Sequence, residues 1–193
     1  MPMALSLRGL EFVPEAADET PLEQRSGRRL VSIVVPLLNE QPTLAELYHE
    51  LDEALASLEA DWEVVFVDDG STDGSYQELV RLHESHLNVR VVRLRRNFGK
   101  AAALAAGVEV ASGEIVVTMD ADLQDDPAEI PHLIAKIDEG FDVVSGHGRL
   151  AHRRSAPANR NIVDVSAGCR ERERACRAGF VSSLRAGSSA FRR

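Results

Sequence analysis

Residues 114–124 read EIVVTMDADLQ, an apolar run that passes directly into two carboxylates, Asp120 and Asp122. Such a run is typical of a buried β-strand, and alternate residues of an extended chain lie on the same side. Paired carboxylates repel each other unless a cation lies between them, and their hard oxygens favour Mg²⁺ or Mn²⁺ with phosphate oxygens completing the shell. We therefore predict a metal site that holds a diphosphate at this strand end. The competing interpretation is a strand cap followed by a solvated acidic loop that includes Asp125 and Asp126.

The surrounding chain, from residue 30 to residue 146, alternates apolar runs with helical patterns. Further buried strands are predicted at 30–35, 63–67, 89–94 and 142–144. Apolar residues recur at helical spacing over 44–58, 76–83 and 101–110, and a fourth helix begins after Asp126 and ends at Gly140. Short loops between such elements imply right-handed crossovers. We predict an α/β fold, a Rossmann-like mostly parallel sheet with helices on both faces, whose ligands lie beyond the carboxyl ends of the strands.

A second predicted strand also ends in carboxylates. Residues 63–74 read EVVFVDDGSTDG, which places Asp68 at the edge of the sheet where ligands bind. A carboxylate there can accept the ring N–H of uracil or guanine, whereas adenine has no such donor. Turn chemistry alone accounts for the Asp, Gly and Ser residues that follow. We predict that Asp68 takes part in the choice of base.

Two more strand ends carry weaker signals. Residues 34–40 read VVPLLNE, and Pro36 cannot donate to a β-ladder, so the following backbone is free to curve around a ligand. Residues 95–100 read RRNFGK and place the cation of Lys100 near the same edge. Lys100 either meets a nucleotide there or belongs to an exposed basic turn.

Together, VVPLLNE, VDDGSTDGS, RNFGKAAAL and MDADLQDDP occur in chain order at successive strand ends. As a set they resemble the family 2 glycosyltransferases with the GT-A fold, and within them the dolichyl- and polyprenyl-phosphate sugar synthases. The resemblance covers about residues 30 to 146. It implies transfer of a sugar from a UDP- or GDP-linked donor to an acceptor such as a polyprenyl or dolichyl phosphate, or another glycan or lipid, by an inverting displacement assisted by Mg²⁺ or Mn²⁺.

The resemblance also implies roles for individual residues. Asp120 and Asp122 would hold the metal and the diphosphate, with Gln124 as a further metal ligand, and Asp122 and Gln124 would carry the catalytic role. The remaining donor-binding positions would be Pro36, Leu38, Glu40, Asp68, Asp69, Lys100 and Ala121. Leu38 departs from the aromatic residue often found there, which would weaken stacking on the base.

Composition narrows the class of protein. Residues 149–193 carry 11 Arg against 3 acids, whereas the preceding residues carry 11 basic and 28 acidic residues, so the body has a charge of −17. Such a body argues against non-specific binding to nucleic acid. We treat Cys169 and Cys176 as free thiols because their spacing fits neither a zinc site nor a redox pair. We expect a cytoplasmic location, with contact to the cytoplasmic face of the membrane left open for a full-length form.

The ends of the chain differ from this body. Residues 1–29 lack sustained periodicity and are interpreted as a mostly disordered leader. From residue 147 to residue 193 the chain is rich in Arg, Ala, Ser and Gly, without the acceptor half that the family usually has. Our hypothesis is a reading-frame shift near His147 that leaves a truncated, inactive donor-binding half and an irregular tail. The alternative is a basic arm for anionic lipid headgroups.

Three other functions compete with sugar transfer. A haloacid-dehalogenase-type phosphotransferase also uses Asp-x-Asp at a strand end, but usually at the first strand and followed by Thr or Val. Calcium loops fail on spacing, because counting from Asp69 or Asp120 puts Val80 or Pro131 where the bidentate Glu belongs. A nucleotide-sugar-binding fragment without catalysis stays open.

Overall fold

A computed structural model describes residues 10–12, 28–147, 162–167 and 191–192. The strands are β1 (Leu10–Phe12), β2 (Leu30–Leu37), β3 (Asp61–Asp68), β4 (Val89–Leu94), β5 (Ile115–Thr118), β6 (Phe141–His147), β7 (Ile162–Ala167) and β8 (Phe191–Arg192). The α-helices are α1 (Leu44–Leu55), α2 (Ser75–Ser85), α3 (Lys100–Val110) and α4 (Ile130–Asp138). A single 3₁₀ turn, Pro127–Glu129, precedes α4.

These strands form one sheet in the order β1-β4-β3-β2-β5-β7-β6-β8. Neighbouring strands among β2, β3, β4 and β5 pair in parallel, and β6 runs the same way because β7 is antiparallel to both β5 and β6. The predicted α/β class and mostly parallel sheet are therefore confirmed. All five parallel strands end at the same edge, which gathers the loops that follow them.

The core lies on both faces of this sheet. Ile33 and Val35 of β2 face α1, α2 and α4, whose buried leucines and isoleucines complete the larger cluster. Val34 and Val67 face α3 on the opposite side. There a Cβ on Gly107 would overlap Val34 Cγ1, so glycine is what lets the Ala-rich helix lie close to the strands. None of the helices in the described part of the chain has the length and apolar character needed to cross a membrane.

A hydrogen-bond network closes the amino-terminal ends of the strands. Glu63, 1% exposed, accepts hydrogen bonds from the Ser32 hydroxyl at 2.6 Å and the Ser112 amide at 2.7 Å. Its second oxygen lies 3.3 Å from the Arg90 guanidinium, which also donates to the carbonyl of Val110 at 2.7 Å. The buried carboxylate is thus surrounded by partners, as a stable buried charge requires.

The sequence predicts Asp126 as the N-cap of the fourth helix. Asp126 Oδ1 accepts a hydrogen bond from the amide of Ala128 at 3.0 Å, with Pro127 at the first helical position. The amide of Gly140 donates to the carbonyl of Ile137 at 2.9 Å just after the helix ends. Asp126 therefore caps the 3₁₀ turn that leads into α4, the α-helix itself begins at Ile130, and Gly140 follows its end as predicted.

Both predicted irregular ends contain strands. Within the leader, Leu10–Phe12 pairs antiparallel with β4, an edge strand whose free backbone groups attract another strand. Within the tail, Ile162–Ala167 lies between β5 and β6, and Phe191–Arg192 pairs with β6. The expectation of an irregular tail overlooked the β-branched run IVDVSA, which satisfies backbone groups on two strands at once. Residues 28, 29 and 147 also belong to the described part of the chain, whereas the other residues of both segments lie outside it. The frame-shift hypothesis stays a prediction.

Candidate nucleotide-sugar site

An open cleft of about 260 Å³ lies at the carboxyl ends of the parallel strands. Loops after β2, β3, β4 and β5 contribute to it, together with the start of α3. Its lining consists of Pro36, Leu37, Leu38, Glu40, Asp69, Asn97, Gly99, Lys100, Ala103, Asp120, Ala121 and Asp122. Every predicted site residue except Asp68 and Gln124 lines this cleft. The chain thus brings together side chains that lie up to 86 positions apart, from Pro36 to Asp122.

One wall of the cleft carries an ion pair. Asp120 lies two residues beyond the end of β5, and Lys100 is the first residue of α3. The ammonium Nζ of Lys100 lies 2.5 Å from one carboxylate oxygen of Asp120 and 2.8 Å from the other. Lys100 is therefore within the predicted site, where it neutralises one of the two acids assigned to the metal.

The turn after Asp120 is tightly organised. Asp125 Oδ2 accepts the amide of Asp120 at 2.9 Å, and Asp122 Oδ1 accepts the amide of Gln124 at 3.1 Å. Leu123 adopts a left-handed conformation with φ 58°, which brings the chain back on itself. Burial, aided by repulsion from Asp120 and Asp122, raises the pKa of Asp125 to about 6. Asp125 is thus a positioning residue for the turn, a role that the sequence pattern does not predict.

Gln124 does not share the cleft with Asp120 and Asp122, the other predicted metal ligands. Its side chain is exposed and does not line the cleft, whereas Asp122 beside it does. The tight turn directs residues 122 and 124 differently, because the chain is no longer extended after Asp120. A metal-binding or catalytic role for Gln124 stays a prediction.

Another wall of the cleft is built by the end of β2 and the loop after it. The amide of Asn39 donates to the Ser71 hydroxyl at 2.9 Å, and the amide of Thr72 donates to Asn39 Oδ1 at 2.8 Å. These bonds tie the loop after β2 to the loop after β3. These hydrogen bonds restrain the backbone next to Leu38, whose side chain is 38% exposed and lines the cleft.

Glu40 adds negative charge to the same wall. Burial, together with repulsion from Asp122, Asp73 and Asp120, raises the pKa of Glu40 above its usual value. The carboxylates of the cleft therefore disfavour one another electrostatically. An arrangement of this kind attracts a cation.

The two consecutive aspartates after β3 take different places. Asp69 lines the cleft, and its two carboxylate oxygens accept the amides of Phe98 at 2.7 Å and Gly99 at 2.8 Å. Asp68 is 0% exposed and does not line the cleft, because successive residues of an extended chain face opposite ways. Asp68 therefore lies at the carboxyl edge of the sheet, as predicted, but its side chain is buried beside the cleft. Its part in the choice of base stays a prediction.

Asp68 is nevertheless unusual. Its Oδ1 accepts the amide of Ser71 at 2.8 Å, while its buried Oδ2 has no hydrogen-bond partner. The nearest cation is Arg93, whose Nε lies 3.4 Å from Oδ2 without hydrogen-bond geometry. Arg93 itself stacks on the ring of Tyr76 at 4.0 Å from its centroid. A buried carboxylate oxygen without a hydrogen bond costs free energy. Oδ2 of Asp68 therefore keeps an unused capacity to accept a hydrogen bond.

The donor set fits a hard divalent cation that binds together with its ligand. Asp120 and Asp122 supply carboxylate oxygens in one cleft, as Mg²⁺ and Mn²⁺ prefer. Among the residues that the structure describes, no three His, Cys, Asp or Glu side chains converge as a complete metal cage. Phosphate oxygens of a ligand would have to complete the shell, which is the usual arrangement for Mg²⁺.

Comparisons with known proteins agree with this geometry. The family model described as glycosyl transferase family 2 matches residues 32–193. Among curated relatives, the undecaprenyl-phosphate 4-deoxy-4-formamido-L-arabinose transferase of Salmonella choleraesuis (strain SC-B67) is 46% identical over 115 residues, which cover 59% of this chain and 35% of that protein. The chain thus spans about a third of the length of that relative. These matches give the phosphotransferase alternative no support.

Solved structures show the same fold. The mannosyltransferase PcManGT from Pyrobaculum calidifontis, in complex with GDP-Man and Mn²⁺, superposes with a TM-score of 0.54 and 34% identity, covering 63% of this chain and 36% of that one. Residues 1–349 of S. aureus TarS, in complex with UDP, give a TM-score of 0.54 and 28% identity over 66% of this chain and 38% of that chain.

Proposed function

The chain belongs to glycosyl transferase family 2, and we propose that its cleft binds a nucleoside diphosphate sugar and that the whole protein transfers the sugar to a polyprenyl phosphate. The observation that carries the proposal is the meeting of Asp120, Asp122 and Lys100 in one cleft at the carboxyl ends of the strands. Two carboxylates and one ammonium suit a diphosphate that arrives with a divalent cation.

At the diphosphate end, Asp120 and Asp122 would hold Mg²⁺ or Mn²⁺, which supplies Lewis-acid stabilisation of the departing nucleoside diphosphate when bound. Asp125 holds the amide of Asp120 and so fixes the turn that presents both acids. Such preorganisation is what an electrostatic site requires, since polar groups that are already oriented need no rearrangement during the reaction.

At the base end, the wall formed by Pro36, Leu38 and Glu40 would contact the base and the ribose. The aliphatic Leu38 offers apolar contact in place of aromatic stacking, so we expect modest base affinity. Asp69 reaches the cleft where Asp68 does not, which makes the backbone around Asp69 the candidate neighbour of the base.

The acceptor proposal draws on the relatives. The Salmonella protein named above is an undecaprenyl-phosphate sugar transferase by name. A lipid phosphate oxygen is already ionised and needs little help from a general base, so inverting attack at the anomeric carbon would require mainly positioning. A lipid acceptor also implies peripheral contact with a membrane surface.

Calorimetry with UDP- and GDP-sugars, with and without Mn²⁺, tests the donor proposal. We expect binding that depends on Mn²⁺ and that falls about a hundredfold in Asp122→Ala, because a direct ligand is lost. Asp126→Asn is the matched control, since it removes a charge four positions away but keeps an oxygen that accepts the Ala128 amide. Metal-independent binding, or equal affinity in Asp122→Ala and the wild type, would contradict the proposal.

A further inference from the structure

Lys100 pairs with Asp120, one of the two carboxylates that we assign to the metal. Its Nζ contacts both carboxylate oxygens, at 2.5 Å and 2.8 Å, so neither oxygen is free of the ammonium. The Lys100 side chain is 60% exposed and that of Asp120 is 32% exposed, so solvent weakens the pair. The pair is thus close enough to compete with a cation and exposed enough to break.

The backbone at the start of α3 positions Lys100 beside Asp120. Both oxygens of the buried Asp69 hold the amides of Phe98 and Gly99, the two residues immediately before Lys100. The backbone of Gly70, φ 79°, packs so closely against Arg96 that a Cβ there would lie 2.6 Å from its carbonyl carbon. The backbone position of Lys100 is therefore fixed, while its long side chain keeps its freedom.

We propose that Lys100 is a built-in counterion of Asp120 that gives way to the divalent cation when the donor binds, and then pairs with the diphosphate. The inference rests on the proposed function, because it requires the donor and its metal to enter this cleft. Lys100 thereby makes the affinities for metal and for nucleoside diphosphate depend on each other.

The dependence follows from charge. Without nucleotide, a divalent cation must break the Lys100–Asp120 pair and leave an ammonium beside it, so metal alone binds weakly. With a diphosphate present, the released ammonium gains a new anionic partner and the same displacement becomes favourable. Linkage then requires that the metal strengthens nucleotide binding by the same factor by which the nucleotide strengthens metal binding.

The test measures free Mn²⁺ by its electron paramagnetic resonance signal in titrations of the wild type and Lys100→Met, with no nucleotide, with UDP and with GDP. For metal alone, Lys100→Met should bind about fivefold more tightly than the wild type, since the competing ion pair is gone. With the nucleotide that the wild type prefers, the same variant should bind about tenfold more weakly, since the diphosphate loses a charged partner. This reversal of sign is the expected signature.

Two variants serve as controls. Lys136→Met removes another exposed lysine that pairs with a carboxylate, Glu139, at 2.7 Å, and should behave as the wild type. Lys100→Arg keeps the charge and should retain the wild-type order of affinities. Equal metal affinity in Lys100→Met and the wild type, or an equal gain in Lys136→Met, would overturn the inference.

Failure of the proposed function gives a different result. If Asp122→Ala bound Mn²⁺ and nucleotide as the wild type does, the cleft would not be the donor site at all. If Asp122→Ala lost binding while Lys100→Met showed no reversal, the donor site would stand and only the role of Lys100 would be wrong.

Discussion

The two ends of strand β3 hold buried carboxylates in opposite circumstances. Near its start, Glu63 is 1% exposed and is met by the Ser32 hydroxyl, the Ser112 amide and the Arg90 guanidinium. At its end, Asp68 is 0% exposed, and one of its oxygens has no hydrogen-bond partner. The same strand therefore carries a satisfied acid at one end of the sheet and an unsatisfied acid at the other.

The difference separates stability from function. A buried charge with all its partners helps to define the fold, whereas a buried acceptor without one costs free energy. The carboxyl end of the sheet, where Asp68, Asp120 and Asp122 lie, gathers several acids, and Asp68 there keeps one buried oxygen without a hydrogen bond. We infer that stability is concentrated at the amino end, and that the carboxyl end tolerates its cost because ligands bind there.

The largest expected effect tests the satisfied end. Glu63→Leu should lower the free energy of unfolding by about 3–4 kcal/mol, because Arg90, Ser32 and the Ser112 amide all lose an acceptor. Urea unfolding followed by circular dichroism measures this loss. A loss below about 1 kcal/mol would mean that the Glu63 network contributes little to stability and that the two ends of β3 do not differ in this respect.

A matched pair of amides sharpens the comparison. Glu63→Gln should cost about 2 kcal/mol, because its new NH₂ group must face the Arg90 guanidinium or displace a donor. Asp68→Asn should cost less, about 1 kcal/mol, because the replaced Oδ2 accepts no hydrogen bond and loses only the ion pair with the partly exposed Arg93 at 3.4 Å. Denaturation midpoints of the two variants, measured under the same conditions, compare the two losses of stability. Equal losses would contradict the contrast between the ends.

An intermediate effect on stability is expected where helix α3 packs on the sheet. Gly107→Ala adds a methyl group that overlaps Val34 and Val67, and overpacking should outweigh the gain in helix propensity. We expect stability to fall by about 1–2 kcal/mol. Lys100 lies about two helical turns away, so Mn²⁺-dependent nucleotide binding should stay within about twofold. A stabilised Gly107→Ala variant would show that the contact between α3 and the sheet has room for a methyl group.

The smallest effect concerns an exposed ion pair on the amino side of the sheet. Arg29 donates to both oxygens of Asp138, at 2.5 Å and 3.1 Å, and this hydrogen bonding holds the pKa of Asp138 below its usual value. A lowered folded-state pKa gives stability that is present above the unfolded value, near 3.8, and is lost as the pH falls through the folded value.

Arg29→Met should therefore cost about 0.5 kcal/mol at pH 7, as is usual for exposed pairs, and nothing at a pH below the folded pKa. Thermal unfolding of the wild type and Arg29→Met, from pH 7 down to a pH below the folded-state pKa of Asp138, measures the difference in stability. The double variant with Asp138→Asn isolates the pair. A difference between the wild type and Arg29→Met that persists unchanged in strong acid would assign the effect to packing of the Arg29 stem instead.

Local patterns predicted much of the fold. The apolar runs and helical spacings over 30–146 located five strands and four helices, and Asp126 and Gly140 marked the ends of the fourth helix. The Asp-x-Asp at the end of β5 located the cleft, because parallel strands share one carboxyl edge. These features depend on neighbours within a few residues, which a single sequence displays directly.

Long-range contacts were not predictable in this way. Asp69 holds amides 29 and 30 positions away, and Lys100 reaches Asp120 across 20 positions. Sequence spacing alone suggested Asp68 as the residue facing the base, whereas the orientation of the loops made Asp69 line the cleft. The strand Ile162–Ala167 was missed for the same reason, since only β5 and β6 together create the place that it fills.

The sequence by itself determined the α/β class, the edge of the sheet that carries the site and the two acids at its centre, because periodicity and residue type act locally along the chain. The tertiary structure alone decided which acids are satisfied and which are not, and that Lys100 neutralises Asp120. Charges interact through space at a few ångströms, and only the packed sheet sets those distances.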